Sequence, residues 1–237
     1  MEIKRDNELE DAVERVLRRK VEGGWQPKVH MDERVYERKG MHGSDLIYCP
    51  DKVIFRDRVI IYASSLSTIF KYALGHAFEF MLHPESMADS KTYVVDGVTL
   101  TPDIVDYDMG GVHIGLGEVK LTWASTKDYD MERKAPQYLT QVKNYCNAVK
   151  TNRCRFIMGH VQGDYRDWDF IPDLRCWDVR FAEGEIRDNW NEMIDRKYAI
   201  EDALENWTMP DKHWLGFQKE CEFCEYRKNG DCKRRVG

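Results

Sequence analysis

Two carboxylates and a lysine fall close together between Thr99 and Thr122, and these residue types could hold a metal ion and hydrolyse an ester. Asp103 follows a proline, while Glu118 and Lys120 lie two residues apart, on one face of a strand. Carboxylate oxygens, with water and phosphate completing the shell, are the ligands that Mg²⁺ or Mn²⁺ prefers. A nearby lysine can steer or deprotonate a water and offset phosphate charge. The alternative is a surface hairpin carrying an ordinary ion pair.

The same segment is predicted to fold as a β-hairpin. Gly110-Gly111 suits a tight turn between two short strands. Because side chains alternate along a strand, Ile114 and Leu116 should share the face of the acid–lysine pair.

A histidine lies on the helix predicted before this hairpin. Apolar residues from Leu66 to Met81 form a wide stripe that predicts a helix over Ser64–Leu82. His76 falls seven residues after Ile69, so we expect it to border the buried stripe and face protein rather than water. It is either a satisfied interior histidine or a metal ligand, and its place just before the acidic hairpin favours the ligand.

Gln141 and Tyr145 lie one turn apart on a helix predicted from about Glu132 to Val149. They could donate hydrogen bonds to a phosphate or stack on a base. The alternative is an amphipathic helix whose tyrosine belongs to the core.

Seven cysteines, without a secretory signal, favour metal binding over disulfides. Cys221 and Cys224 have a chelate spacing, and Cys232 follows seven residues later. Three thiolates do not close a four-thiolate site, so Cys49 is the candidate for the fourth ligand. A cluster and a structural zinc both stay open, and His213 could serve as a zinc ligand. The remaining cysteines fall in helix or strand patterns and are expected in the core: Cys146, Cys154 and Cys176.

Composition and hydropathy restrict the class of protein. A chain of 237 residues forms one medium domain or a core with one appended element. The net charge of −6 argues against a strongly basic nucleic-acid coat, but it leaves a nuclease possible because metal sites are themselves acidic. No apolar run approaches the roughly 18 residues of a membrane span, and we expect a cytoplasmic protein without membrane contact.

Periodicity predicts the other elements. They are helices over 8–22 and 185–206, strands over 155–161 and 175–182, and a type I′ hairpin over 93–100 that turns at Asp96-Gly97. This order predicts an α/β core with a mixed sheet.

Taken in order, these motifs resemble those of the iron–sulfur RecB-type nucleases, which carry the PD-(D/E)XK motif. The resemblance is strongest to the CRISPR-associated exonucleases of the Cas-four type. The matching segments are Ser44-Asp45 with Cys49-Pro50, Gly75-His76, Pro102-Asp103, Glu118-Val119-Lys120, Gln141 with Tyr145, and Cys221, Cys224 and Cys232.

The resemblance implies a restriction-endonuclease-like PD-(D/E)XK core, in which helices flank a mixed central sheet. A cysteine-ligated iron–sulfur element would join the N- and C-terminal parts. The expected division is an N-terminal helical extension over 1–40, a nuclease core over 41–210 and a C-terminal cysteine segment over 211–237.

Site roles follow from the same resemblance. The implied ligands of Mg²⁺ or Mn²⁺ are His76, Asp103, Glu118 and the Val119 carbonyl, and the implied catalytic residues are Asp103, Glu118 and Lys120. Gln141 and Tyr145 would orient the DNA strand or the lysine. Cys49, Cys221, Cys224 and Cys232 would hold a structural [4Fe–4S] cluster, with [2Fe–2S] and zinc as alternatives.

The implied activity is that of a metal-dependent deoxyribonuclease, an exonuclease on single-stranded DNA ends. Its implied partners are recombination or CRISPR adaptation proteins. The alternative is a non-catalytic or weakly active nucleic-acid-binding subunit of such a complex, stapled by zinc or a cluster.

Overall fold

A computed structural model describes residues 1–22, 40–57, 66–82, 91–127, 129–163, 172–211, 214–216, 220–222 and 224–233. The strands are β1 (Glu2–Arg5), β2 (Met41–His42), β3 (Tyr93–Val95), β4 (Val98–Leu100), β5 (Ile104–Met109), β6 (Val112–Thr122), β7 (Arg153–His160) and β8 (Asp173–Arg180). The helices are α1 (Asn7–Glu22), α2 (Gly43–Ile47), α3 (Pro50–Asp57), α4 (Leu66–Leu82), α5 (Met131–Lys134), α6 (Pro136–Val149), α7 (Glu183–Glu205) and α8 (Glu225–Lys228), with a 3₁₀ turn at Glu220–Glu222.

A mixed five-stranded sheet, in the order β1-β8-β7-β6-β5, organises the chain. Strands β6 and β7 are parallel, and the other neighbouring pairs are antiparallel. A smaller sheet has the order β2-β4-β3. The mixed α/β architecture with a mixed sheet, expected from the sequence, is confirmed.

Helices cover both faces of the central sheet. On one face, α1 and α4 pack through Leu9 and Leu82 against Val119 and Ile157. On the other face, the larger core joins the sheet to α2, α3, α6 and α7, with Phe156 at its centre. Strand β6 carries side chains into both layers, with Leu116 in the larger core and Val119 in the smaller one.

The hairpin between β5 and β6 forms at the predicted turn. Gly110 and Gly111 have φ of +60° and +91°, which glycine adopts without steric cost. The expectation that Ile114 shares the face of the acid–lysine pair is wrong, because Ile114 packs in the α1/α4 core whereas Leu116 packs in the other. The change occurs at Gly115, which lies between the two residues on β6.

The N-terminal residues belong to the central sheet. Strand β1 pairs with β8, from Glu2 opposite Arg180 to Arg5 opposite Trp177, and α1 then folds across the sheet. The described part of the expected extension, residues 1–22, therefore completes the core rather than standing apart from it. The missed strand is only four residues long and carries one half-buried apolar side chain, Ile3, so it shows little alternation.

The remaining predicted elements form close to their expected positions, with one break. The helix predicted from Glu132 to Val149 is divided into α5 and α6, because Pro136 begins a new helix and Ala135 leaves the helical conformation (φ −142°, ψ 49°). The predicted hairpin at Asp96-Gly97 is present, with φ of +48° and +74° at its two central residues.

The segment before Cys49 forms a short helix held by an acid. His42 is the N-cap residue of α2, and its backbone N–H donates to the Asp45 carboxylate at 3.0 Å. Arg56 of α3 binds the same carboxylate at 3.0 Å. Asp45 therefore caps the first turn of α2 from its third position and also joins that helix to α3.

Within the described residues, no helix is both long and apolar enough to cross a membrane.

Candidate active site

The candidate site lies where β6 faces helix α6. Glu118 and Lys120 stand opposite Phe156 and Met158 of β7, and they form an ion pair. The Glu118 side chain is completely buried. Apart from that ion pair, its two carboxylate oxygens have no hydrogen-bond partner in the described part of the chain. A buried carboxylate with so few donors is costly unless a cation joins it.

Asp103 brings a second carboxylate to this position from the start of β5. Its Oδ2 accepts the backbone N–H of Val119 at 2.7 Å and lies 3.7 Å from Nζ of Lys120. The Asp103 side chain is 16% exposed and that of Lys120 is 23% exposed, so both reach the solvent edge of the site. The structure thus brings the predicted acid–acid–lysine set together, with Glu118 innermost.

The three groups affect one another strongly. Burial, followed by the charge of Asp103, raises the pKa of Glu118 well above its usual value. Burial disfavours the charged form of Lys120, but the two carboxylates outweigh it and raise the pKa of Lys120. The lysine is therefore protonated at neutral pH, while Glu118 has a raised affinity for a proton.

Helix α6 closes the site with aromatic hydroxyl groups. Nζ of Lys120 lies 5.8 Å from the centre of the Tyr138 ring, within cation–π range. Nε2 of Gln141 donates to the Tyr145 hydroxyl at 2.7 Å. Burial, and then the charges of Glu118 and Asp103, raise the pKa of Tyr145, so it keeps its proton.

Of the two predicted DNA-contacting residues, Tyr145 lies in the core, which was the alternative expectation for this helix, and contact of either with DNA stays a prediction. Tyr145 is only 7% exposed, and its ring has no open face on which a base could stack. Its position beside Lys120 fits the alternative role of orienting the lysine. Tyr138 was missed as a site residue, although its spacing of seven residues from Tyr145 puts the two on one helix face.

His76 does not face the protein interior. Its side chain is 62% exposed, and its Nδ1 lies 3.9 Å from Glu79 on the same helix. The buried side of α4 instead carries Leu82 and Phe78, and Phe78 packs on Gly159 of β7. The expectation that His76 borders the buried stripe is therefore wrong, and its role as a metal ligand stays a prediction.

The four predicted cluster ligands line one small cavity between α3 and the C-terminal segment. They are Cys49, Cys221, Cys224 and Cys232, and Asp51, Lys52, Phe55, Glu220 and Arg227 complete the wall. The Phe55 ring stacks on Tyr226 of α8 at 4.9 Å and so joins the two segments. Burial, and then the charge of Asp51, raise the pKa of the Cys49 thiol to about 12. The other three cysteines are buried in the core, as predicted: Cys146, Cys154 and Cys176.

The donor sets fit the two inferred metal groups to different degrees. Four thiols around one cavity match a four-thiolate group, although the cavity of about 10 Å³ would have to widen for a cluster. Asp103 and Glu118 supply carboxylate oxygens for a divalent ion. In the described ranges, no three His, Cys, Asp or Glu side chains are already grouped closely enough to hold a single ion. His213 lies outside the described residues.

Comparisons with known proteins do not assign the chain to a family. No protein-family model matches it, and no curated protein sequence matches it. The crystal structure of SSO0001 aligns over 94% of this chain and 96% of that one, at 13% identity and a TM-score of 0.45. An alkaline exonuclease from Laribacter hongkongensis aligns over 71% of this chain and 91% of that one, at 14% identity and a TM-score of 0.44. At such low values, any function must be argued from this chain's own residues.

Proposed function

We propose that this protein is a metal-dependent nuclease of the PD-(D/E)XK type that hydrolyses phosphodiester bonds in DNA. The observation that carries the proposal is the Glu118 carboxylate, which is fully buried and pairs with the ammonium group of Lys120, beside Asp103. A buried group of two acids and a lysine destabilises the folded state, and such groups are typical of catalytic sites rather than of contacts that stabilise a fold. The DNA substrate and the exonuclease action on single-stranded ends are taken from the family resemblance.

Each residue has a defined part in this mechanism. Asp103, Glu118 and the Val119 carbonyl would hold Mg²⁺ or Mn²⁺, which lowers the pKa of a bound water and neutralises phosphate charge. His76 stays a candidate ligand. Because Lys120 is protonated, it cannot take a proton from water in this arrangement; it orients the water and offsets charge on the phosphate in the transition state. The Tyr138 ring, over which the ammonium group of Lys120 lies, holds the lysine in place.

The cysteine cavity is proposed to bind a structural iron–sulfur cluster. The four thiols would bind iron and thereby fasten the C-terminal segment to α3. A cluster requires these side chains to turn apart, whereas one zinc ion requires them to converge on a point. Zinc is therefore the competing occupant, and metal analysis decides between the two.

The test uses anaerobically purified protein, analysed for iron and zinc, with end-labelled single-stranded DNA and Mn²⁺. We expect cleavage by the wild type and a loss of roughly 100- to 1,000-fold in Lys120→Ala, as for removal of one charge-stabilising donor. Lys143→Ala is the control for loss of a lysine, because Lys143 lies on α6 with its ammonium group over the Phe181 ring. Equal cleavage by Lys120→Ala and wild type would sink the proposal.

A second candidate is a weakly active subunit that depends on a partner protein. It is favoured by the absence, among the described residues, of three grouped metal-binding side chains. Two carboxylates alone would hold a divalent ion weakly. This candidate predicts wild-type cleavage only near millimolar Mn²⁺, and stronger cleavage when recombination or adaptation proteins are added.

A further inference from the structure

The four cysteines of the proposed metal site come from two distant parts of the chain. Three of them belong to the C-terminal segment, where local backbone bonds position them. The backbone N–H of Cys224 donates to the Cys221 carbonyl oxygen at 3.4 Å, and that of Cys232 donates to the Tyr226 carbonyl oxygen at 3.1 Å. Cys49 lies between α2 and α3 instead, so it reaches the other thiols only where the fold holds the two parts together.

One side chain, Glu220, connects Cys49 to the C-terminal segment. Glu220 directly precedes Cys221, and it is 1% exposed. Its Oε1 accepts the backbone N–H of Cys49 at 3.0 Å, across 171 positions of the chain, and its Oε2 accepts that of Gly216 at 2.8 Å. Hydrogen bonds from a backbone N–H to a carboxylate are among the stronger ones in proteins. The peptide of one proposed ligand is therefore bound to the residue beside another.

Lys52 makes this buried carboxylate compatible with four neighbouring thiolates. Its Nζ lies 2.6 Å from Oε1 of Glu220, and its backbone N–H donates to the Cys49 carbonyl oxygen at 3.2 Å. A buried carboxylate without a cation would repel thiolates and so oppose metal binding. Because the ammonium group offsets that charge, Glu220 supplies hydrogen-bond acceptors without adding net negative charge to the cavity wall.

We propose that Glu220 is a positioning residue for the metal group, which holds Cys49 beside the C-terminal thiols independently of the metal. Its contacts use backbone and ammonium donors and leave the sulfur atoms for a metal. This inference rests on the proposed metal site at the four cysteines, whether iron or zinc occupies it. The entropy cost of joining two distant parts of the chain then falls on folding rather than on metal binding. The rival explanation is that the metal itself assembles the cysteines and that Glu220 only stabilises the fold.

The first experiment measures metal affinity with Co²⁺ alone, on the full chain after its metal is removed by a chelator under reducing conditions. Thiolates bound to Co²⁺ give a charge-transfer absorption, which reports binding without an assay of cleavage. We expect Glu220→Ala to raise the dissociation constant roughly 10- to 100-fold, the usual effect of losing a residue that orients a metal ligand. Glu222→Ala is the matched control, because it removes the same charge from an exposed position of the same segment.

A Cys49→Ala background separates positioning from general stability. Because Glu220 is proposed to act through Cys49, Glu220→Ala should weaken Co²⁺ binding in the wild-type background and have little further effect where Cys49 is already absent. An equal loss of affinity in both backgrounds would overturn the positioning role and support general stabilisation of the fold.

The second experiment tests the contact in the presence of a chelator. The full chain is treated with iodoacetamide, and alkylation of Cys49 is followed by mass spectrometry of its peptide. We expect slow alkylation in the wild type and in Glu222→Ala, because Cys49 is only 4% exposed. In Glu220→Ala it should be faster by roughly 10-fold, as for the loss of hydrogen bonds to a charged group. Equal rates in the wild type and Glu220→Ala would contradict the proposed role.

Failure of this inference is distinguishable from failure of the proposed metal site. Wild-type Co²⁺ affinity in Glu220→Ala would overturn the positioning role and leave the metal site standing. A wild-type protein that binds neither iron nor zinc when purified, and no Co²⁺ afterwards, would overturn the metal site and the positioning role with it.

Discussion

The Asp103 carboxylate accepts the backbone N–H of Val119 at 2.7 Å, so one of the two acids of the site is bound to the peptide that follows the other. This contact fixes Asp103 relative to Glu118 and leaves the second Asp103 oxygen for another partner. It also gives Asp103 a structural role in addition to its chemical one, because the bond joins the start of β5 to the middle of β6.

These two roles of Asp103 can be separated by substitution. Asp103→Asn keeps an oxygen that can accept the Val119 N–H, so we expect a nearly unchanged free energy of unfolding but strongly reduced cleavage. Asp103→Ala leaves the amide without its acceptor and should lower the free energy of unfolding by about 1–3 kcal/mol. Urea denaturation of both variants provides the comparison. Equal stability of Asn and Ala variants would show that the bond contributes nothing to the fold.

Divalent cations should stabilise the protein through the two acids. A ligand that binds only the folded state raises the free energy of unfolding by about 2.7 kcal/mol at one hundred times its dissociation constant. We expect Mn²⁺ to raise the Tm of the wild type and to have much less effect on Glu118→Gln, which lacks the buried charge. Asp106→Asn is the control, because Asp106 is an exposed acid paired with His113. A shift that is retained in Glu118→Gln would place the cation elsewhere.

The acid–lysine set was predictable because its signals are local. Alternation places Glu118 and Lys120 on one strand face, and two adjacent glycines define the preceding turn. The prediction for Ile114 failed because Ile114 and Leu116 enter different cores despite their spacing of two, and their residue types do not reveal this.

The orientation of His76 could not be derived from its helix. Apolar residues surround much of α4, and Phe70 and Leu74 are 64% and 36% exposed. Because the apolar stripe of α4 is wider than the face that is buried, the sequence does not show which edge of the stripe faces the protein interior. The ion pair between Glu220 and Lys52 could not be predicted either, because the two residues are 168 positions apart and neither belongs to a periodic pattern. Such contacts become visible only in the folded chain.

The turn between β5 and β6 offers a matched pair of glycines. Both have positive φ, so alanine at either position should cost about 1 kcal/mol or somewhat more through backbone strain. A Cβ atom at Gly110 would also lie 3.1 Å from the Ala12 carbonyl oxygen of α1, whereas one at Gly111 meets no described atom within 4 Å. We therefore expect Gly110→Ala to lower the Tm more than Gly111→Ala. Equal decreases in Tm for the two variants would mean that α1 shifts to accommodate the added methyl group.

His160 should make stability depend on pH. Its ring is buried at the end of β7, where Nδ1 lies 2.8 Å from the Ala124 carbonyl oxygen and so donates to it from the neutral ring. Its Nε2 has no hydrogen-bond partner among the described residues. Burial is the main influence, and it lowers the pKa of His160 below the ordinary value of 6.5. A proton on Nε2 would therefore be a buried charge with no hydrogen-bond acceptor among the described residues.

The sign of the effect follows from the protons bound in each state. Between the lowered pKa and 6.5, the unfolded chain binds a proton that the folded chain does not, so stability is complete above pH 6.5 and falls as the pH decreases below it. His160→Asn keeps a side-chain N–H for Ala124 and does not titrate. Urea unfolding at a series of pH values should give a constant difference between wild type and variant above pH 6.5 and a shrinking difference below it. A difference that stays constant through that range would show that His160 titrates equally in both states.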